Sequence, residues 1–456
     1  MNETPDLIRF TLDGEHVEPT ADVLAKTKVR LSSIPAMLFR GFGNILDRLP
    51  FVGLSTVPPT TLTGASPGPD RLGPEDLGDP STELDRSKAP ALADATLELL
   101  KHSIRGTLST SGSRHVGVCL SGGLDSSLIL VAAAEMKRTG ELTEVSAFHY
   151  DWSAVVECEG ERACAADLCR RLDVDHYVLD QSRLSLDDML RIYDRLPSPY
   201  PQTFHVQLLD ATRLADRIGV DELLTGVGAE LHFAEPSSAS TIQRAAHHEG
   251  DARDWLLSPE LDPGNMSAWV TERASDARDR GWRRTVRTSD PRYASRLARL
   301  YSYHELHTCV ALEFLLHSCE TNRPALHHPY LDPRFTVFAS AIPHQLHWFR
   351  CGGEVYNKAL LRIALRNSAP PSVSLRSSGA PYEAVEQRYL RNSWDDVVEF
   401  WNEPCMLEQL GMMNAQRMRA TLNNRRDFLR RSTYNLPVML VESWLRANPH
   451  RIEIDM

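Results

Sequence analysis

The chain has 456 residues, 42% of them hydrophobic and 24% charged, an ordinary globular composition with room for about two or three domains. Its net charge of −11, from 61 acidic against 50 basic residues, speaks against the basic face that a nucleic-acid footprint needs. No apolar run approaches the roughly 18 residues of a membrane-spanning helix, and the first thirty residues, with Glu3, Asp6, Asp13, Glu15 and Glu18, carry no signal-peptide pattern.

The eight cysteines are scattered, without a CxxC. The nearest group, Cys158, Cys164 and Cys169, has the wrong spacing for a structural zinc site. A reduced, cytoplasmic protein is the expectation.

In chain order, residues 1–56 mix polar and apolar segments and read as a small unit. Residues 57–90 are rich in Pro, Gly, Ser, Thr and Asp and read as a linker. Residues 1–90 are thus expected to form a short N-terminal unit with its linker, and residues 91–456 the main domain. Leu92, Ala95, Leu99, Leu100 and Ile104 recur at helical spacing. The rhythm then changes. His115–Leu120 is a short buried strand, Ser121–Ser127 a turn, and Leu128–Met136 an apolar helix. Glu144–Tyr150 is a strand, Arg162–Leu172 a helix, His176–Leu179 a strand, Leu208–Ile218 a helix and Glu222–Thr225 a strand. Strands alternating with helices predict an α/β fold with a parallel sheet. After about residue 237 strand signals fade. Helical patterns follow over Ile242–Leu257, Tyr293–Ser318, Val355–Arg366, Met406–Leu422 and Pro437–Ala447.

The most informative segment is GVCLSGGLDSSLIL, from Gly117 to Leu130. A strand runs into Ser121-Gly122-Gly123-Leu124-Asp125-Ser126-Ser127 and a helix follows. Gly122 and Gly123 let backbone approach a ligand closely. The serines offer hydroxyls, and the free N–H groups of a helix start favour phosphate. Asp125 beside phosphates calls for a bridging cation such as Mg²⁺. Neither GxxxxGK[ST] nor, after the strand, GxGxxG is present, which sets the segment apart from a Walker A loop and a Rossmann fingerprint.

The whole block resembles the pyrophosphate loop of the asparagine synthetase superfamily, a branch of the ATP pyrophosphatases that includes beta-lactam synthetases and lasso peptide cyclases. Further blocks occur in the family's order: Ser146-Ala147-Phe148, similar to the strand lining the adenine pocket; Leu224–Glu230 (LTGVGAE), similar to LTGxGSD; Pro329-Tyr330-Leu331-Asp332, similar to PFLD; Lys358–Arg362 (KALLR), similar to KxxLR; and, more weakly, Pro370–Arg376. The resemblance spans roughly residues 91–390. It implies an adenine-nucleotide alpha-hydrolase-like (PP-loop) synthetase domain with a helical C-terminal part. It also implies ATP and Mg²⁺ as cofactors. Leu120, Ser121, Gly122, Gly123, Leu124, Asp125, Ser126, Ser127, Phe148, Thr225, Gly226, Gly228 and Lys358 would then form the nucleotide site. Asp125 and Glu230 would hold the metal, and Lys358, Asp125 and Glu230 would be the catalytic set. Glu230 stands where the family has Asp, one methylene shorter.

Three departures shape the expected chemistry. Position 2 is Asn2, and no Cys precedes Cys119, so no glutaminase activity is expected. Val227 replaces the Tyr of the beta-lactam synthetase base dyad, which leaves His304, His307, His327 and His328 as candidate bases. ALHHPYLD replaces ExRxPFLD, with His327 in place of Arg, so the substrate is expected to differ. The resemblance implies adenylation of a carboxylate, with release of pyrophosphate, and displacement of AMP by an amine of a small molecule or precursor peptide. Lasso-type macrolactam closure or small-molecule amide formation in natural-product biosynthesis both suit it, with biosynthetic partner proteins, no nucleic acid and no membrane. The alternative is a catalytically inactive nucleotide-binding or scaffold protein of the same fold.

Overall fold

In a computed structural model, residues 88–111, 114–153, 159–181, 185–199, 205–233, 324–340, 348–351, 354–376 and 382–453 are described, with short stretches before residue 58 and a few isolated positions. Near the start, β1 (Arg9–Leu12), β2 (Glu15–Val17) and β4 (Leu54–Val57) make a small antiparallel sheet in the order β2-β1-β4. Between them lies β3 (Val29–Arg30).

Helix α1 (Ala89–Ser111) leads into the main sheet. Its strands are β5 (His115–Cys119), β6 (Glu144–Asp151), β7 (Asp175–Asp180), β8 (Glu222–Leu224) and β9 (Ala325–His327). Their order is β7-β6-β5-β8-β9, all parallel. From β5 the chain winds outward through β6 and β7, then returns to place β8 on the other side. The carboxyl end of β5 is therefore the switch point, where a crevice opens beyond the strands. β5 and β6 are apolar because both faces are covered.

Helices α2 (Leu124–Arg138), α3 (Glu159–Leu172), α4 (Leu186–Asp194), α5 (His205–Arg217) and α6 (Ala229–Phe233) follow in chain order. α4 opens with a capping box, Ser185 and Asp188 each holding the other's backbone N–H. Val118, Leu128, Leu130, Leu100 and Leu361 share one core, and Phe148, Leu208, Ala211 and Leu223 another.

Beyond β9 come α7 (Pro333–Ser340), the hairpin β10 (Trp348–Cys351) and β11 (Glu354–Asn357), α8 (Ala359–Leu365), α9 (Pro371–Ser374), α10 (Tyr382–Asn392), α11 (Trp394–Asn402), α12 (Met406–Gln409), α13 (Ala415–Leu422), α14 (Arg425–Arg430), α15 (Ser432–Ala447) and β12 (Ile452–Glu453). The last helices pack around α15, with Trp401, Phe428, Leu440 and Trp444 fully buried. Buried Glu442 accepts the N–H groups of Met406 at 2.8 Å and Leu407 at 2.9 Å, capping α12 from a distant helix. Leu24, Val29 and Ile34 enter this same core, and β3 pairs with β12. Arg451 donates to the carbonyls of Leu24 at 2.6 Å and Thr27 at 3.0 Å.

The α/β reading with a parallel sheet and a helical C-terminal part holds, with corrections. α2 starts at Leu124 and not Leu128, so Asp125, Ser126 and Ser127 form its first turn; polar residues there hide the start from an apolar count. Val355–Arg366 is not one helix: β11 ends at Asn357, Lys358 takes a left-handed backbone (φ 52°), and α8 begins after it. Met406–Leu422 is split, with Gly411 at φ 71° and Asn414 capping α13. β9 to β12 lie where no strand was expected; two to four residues are too few to show alternation. Ile242–Leu257 and Tyr293–Ser318 lie outside the described residues. No described helix is long and apolar enough to cross a membrane.

Candidate functional site

The site is built at the switch point. Leu120 donates its N–H to the carbonyl of Phe148 at 2.8 Å, which ties the loop to β6. Gly122 has φ 76°, and a Cβ there would lie 2.5 Å from the Glu161 carbonyl oxygen, so only glycine fits. The Ser126 hydroxyl accepts the Ser121 N–H at 3.2 Å and sits 3.1 Å from the Ser121 hydroxyl. Ser121 Oγ accepts the Gly123 N–H at 3.2 Å. The serines thus first hold the loop's shape. Ser121 is exposed, whereas Ser126 and Ser127 are buried. Gly123, the N-cap of α2, has no side chain to cap with, so the first N–H groups stay available to an anion.

Asp125 lies in that first turn. Its Oδ2 accepts from Lys358 Nζ at 2.6 Å. Lys358 is 6% exposed, so this cation is inside the protein and not a solvated helix lysine. Its left-handed backbone costs about 1–2 kcal/mol in a non-glycine residue, a strain that recurs at functional sites. Gly226 packs on the same turn: a Cβ there would be 3.2 Å from Asp125 Cβ and from Ser126 N. Two residues on, Gly228 has φ 96°, and a Cβ would meet Leu331 Cδ2 at 2.6 Å. These glycines bring α6 against the loop.

Glu230, in the first turn of α6, completes the group. Its side chain reaches solvent, yet desolvation by the surrounding protein raises its pKa, and the Asp125 charge raises it further while Lys358 lowers it. Tyr330, fully buried, donates its hydroxyl to the Asp125 carbonyl at 3.0 Å. Burial and the two carboxylates push the Tyr330 pKa well up, so it is a neutral donor.

The structure brings together Ser121, Gly122, Gly123, Asp125, Gly226, Gly228, Glu230 and Lys358. Leu120 and Leu124 are buried wall residues. Thr225 is held at the edge by His328 Nδ1, 2.6 Å from its hydroxyl, and accepts the Val227 N–H at 3.3 Å. The Phe148 side chain is not brought to the site: it is fully buried and stacks on Tyr177, with centroids 5.6 Å apart. Only its carbonyl reaches the loop. Of the candidate bases, His327 Nε2 lies against the carboxylate of buried Glu222 on the neighbouring strand, and His304 and His307 lie outside the described residues.

Two site members carry no strong mark in the sequence. Arg376 donates to the Gly122 carbonyl at 3.2 Å and to Glu161 Oε1 at 2.8 Å, fastening the loop from behind. Its place at the end of the weak Pro370–Arg376 block is the one signal that could have found it. Glu161, on α3, belongs to no block, and nothing in the sequence marks it.

The residues fit a divalent cation. Asp125 Oδ1 is buried and accepts no hydrogen bond, and the Glu230 carboxyl carries a charge that Asp125 disfavours. A cation between two such carboxylates relieves both. Among the described residues no group of three or more His, Cys, Asp or Glu side chains could hold a metal by itself, so a ligand's oxygens would complete the coordination.

A family model described as asparagine synthase matches residues 95–446. A search of curated proteins found none that matches.

Proposed function

Because the chain belongs to the asparagine synthase family of ATP-dependent amide ligases, we propose that it activates a carboxylate by adenylation and couples it to an amine. The observation that carries this reading is the convergence of Asp125, Lys358 and Glu230 on an uncapped helix start. That arrangement suits the triphosphate of ATP: N–H groups of α2 and the Ser121 hydroxyl for the outer phosphates, and Lys358 for the α-phosphate. Asp125 and Glu230 would hold Mg²⁺, which neutralises phosphate charge.

In this reading the substrate carboxylate attacks the α-phosphorus and the bond to the bridging oxygen of the leaving pyrophosphate breaks. The amine lone pair then attacks the acyl carbon, and AMP departs with the acyl–oxygen electron pair. The amine proton passes to solvent or a nearby base. Lys358, fixed and buried, stabilises the oxygens on which charge grows. Positioning both reactants in one crevice supplies much of the remaining rate. The nucleophile is an amine of a small molecule or of a precursor peptide, as in lasso-type macrolactam closure, within natural-product biosynthesis.

The test mixes the purified protein with MgATP, a panel of carboxylates and either alkylamines or glutamine. AMP and pyrophosphate appearing with a carboxylate and an amine support the reading. ADP and phosphate as products refute it. MgATP binding without turnover on any substrate favours the inactive binding protein instead.

A further inference from the structure

A second polar cluster lies at the same edge of the sheet. Gln181 follows β7 directly, its N–H donating to the Asp151 carbonyl at 3.2 Å. Its side chain is 2% exposed. Nε2 donates to Asp210 Oδ2 on α5 at 3.4 Å, while Oε1 is buried and accepts no hydrogen bond. Gln207, three residues before Asp210, shares that helix face and is also 2% exposed.

Helix α10 faces it with a matching pair. Glu386 is fully buried and Tyr389 nearly so, again three residues apart. The Thr203 hydroxyl donates to Glu386 Oε1 at 2.8 Å. Gln207 approaches the Tyr389 hydroxyl, which is buried and makes no hydrogen bond of normal geometry. Toward solvent, the half-exposed Asp210 side chain has Arg213 at 3.8 Å.

An unmet buried acceptor costs roughly 1–3 kcal/mol, and native folds carry few of them. Here the unmet acceptor belongs to a side chain held on the Asp210 carboxylate, whose charge also acts on the Tyr389 phenol. An accepting oxygen beside a carboxylate suits a ligand that donates hydrogen bonds and carries positive charge. A primary ammonium group does both. The place also suits a ligand. Open parallel sheets bind beyond the carboxyl ends of their strands, and β7 lies two strands from β5, about 10 Å at the usual spacing.

We propose that Gln181, Asp210 and Tyr389 form a recognition subsite for an ammonium group of the substrate, beside the nucleotide site and separate from it. The inference rests on the amide-ligase reading for its view of what the ligand is.

The full chain is titrated with n-butylammonium chloride and followed by saturation-transfer NMR, without nucleotide. Its n-butyltrimethylammonium analogue, which has no N–H, is the control. Gln181→Leu, Asp210→Asn and Tyr389→Phe are compared with the parent after thermal melts confirm that each is folded. Asp210 is half exposed, so its variant poses little risk to the core. The expected result is binding of n-butylammonium but not of the control, weakened about tenfold in Gln181→Leu and Asp210→Asn, with MgATP affinity unchanged. Equal binding of the trimethylated control, equal affinity in parent and variants, or no binding in the parent overturns the proposal; the last result assigns the acceptor to internal water. Failure here with MgATP binding intact leaves the ligase reading standing. Ammonium binding with no MgATP binding sinks that reading alone.

Discussion

Lys358 Nζ lies 2.6 Å from Asp125 Oδ2, joining residues 233 positions apart. The contact draws the start of α2 and the start of α8 to one point, and it sets a buried cation against two neighbouring carboxyl groups. Replacing Lys358 by Met keeps the bulk and removes the cation. Carboxylate-dependent pyrophosphate release is expected to fall by about a hundred- to a thousand-fold, the scale for losing one preorganised charge from a transition state. Lys358→Gly removes the cation too but relieves the left-handed backbone, so it should be as inactive as Lys358→Met and no less stable than that variant. Comparing rates and melting temperatures of the two variants checks both halves of the claim.

Glu230 carries an opposite signature. Its charge is disfavoured by desolvation from the surrounding protein and by Asp125. Glu230→Gln removes that charge, so the ligand-free protein should unfold at a higher denaturant concentration than the parent, and magnesium should no longer strengthen ATP binding. Urea melts and ATP titrations with and without magnesium read the two effects.

Gly228 has a positive φ and no room beyond its Cα. Gly228→Ala should destabilise by about 1–3 kcal/mol, through backbone strain and the clash with Leu331. Tyr330→Phe removes one buried hydrogen bond, to the Asp125 carbonyl, and should cost about 1 kcal/mol. Denaturant midpoints give both values.

His149 and His176 are neighbours on β6 and β7, with ring centroids 5.8 Å apart. Burial is the main cause that lowers both pKa values from the ordinary 6.5. The folded state therefore binds fewer protons than the unfolded chain in the window below 6.5. Stability should be full above that pH and decline as pH falls through it. Unfolding free energy measured from pH 7.5 to 5 should show the decline, and His149→Gln should flatten it.

Much of this site is legible in the amino-acid sequence. Strand, Gly-Gly turn and helix are local signals, and the blocks at 224–230, 329–332 and 358–362 place residues whose side chains meet only through the fold. Asp125, Glu230 and Lys358 do meet. What is not legible follows from physics that a one-dimensional pattern lacks. The break at Lys358 depends on a left-handed backbone that tertiary packing imposes, so the apolar rhythm from Val355 reads as one helix. Phe148 sits on the right strand, but strand side chains alternate, and its ring faces the core while its carbonyl faces the loop. Arg376 and Glu161 work as a pair between α3 and the chain after α9, a contact no local spacing encodes.

In the proposed function the loop after β5 grips the outer phosphates of ATP, with magnesium held by Asp125 and Glu230. Calorimetric titration of the protein with ATP, in magnesium and in excess chelator, and with AMP, tests it most directly. Magnesium-dependent ATP binding, much weaker AMP binding, and loss of the magnesium effect in Asp125→Ala are expected. ATP and AMP binding with equal affinity, or ATP binding that ignores magnesium and Asp125, would contradict it.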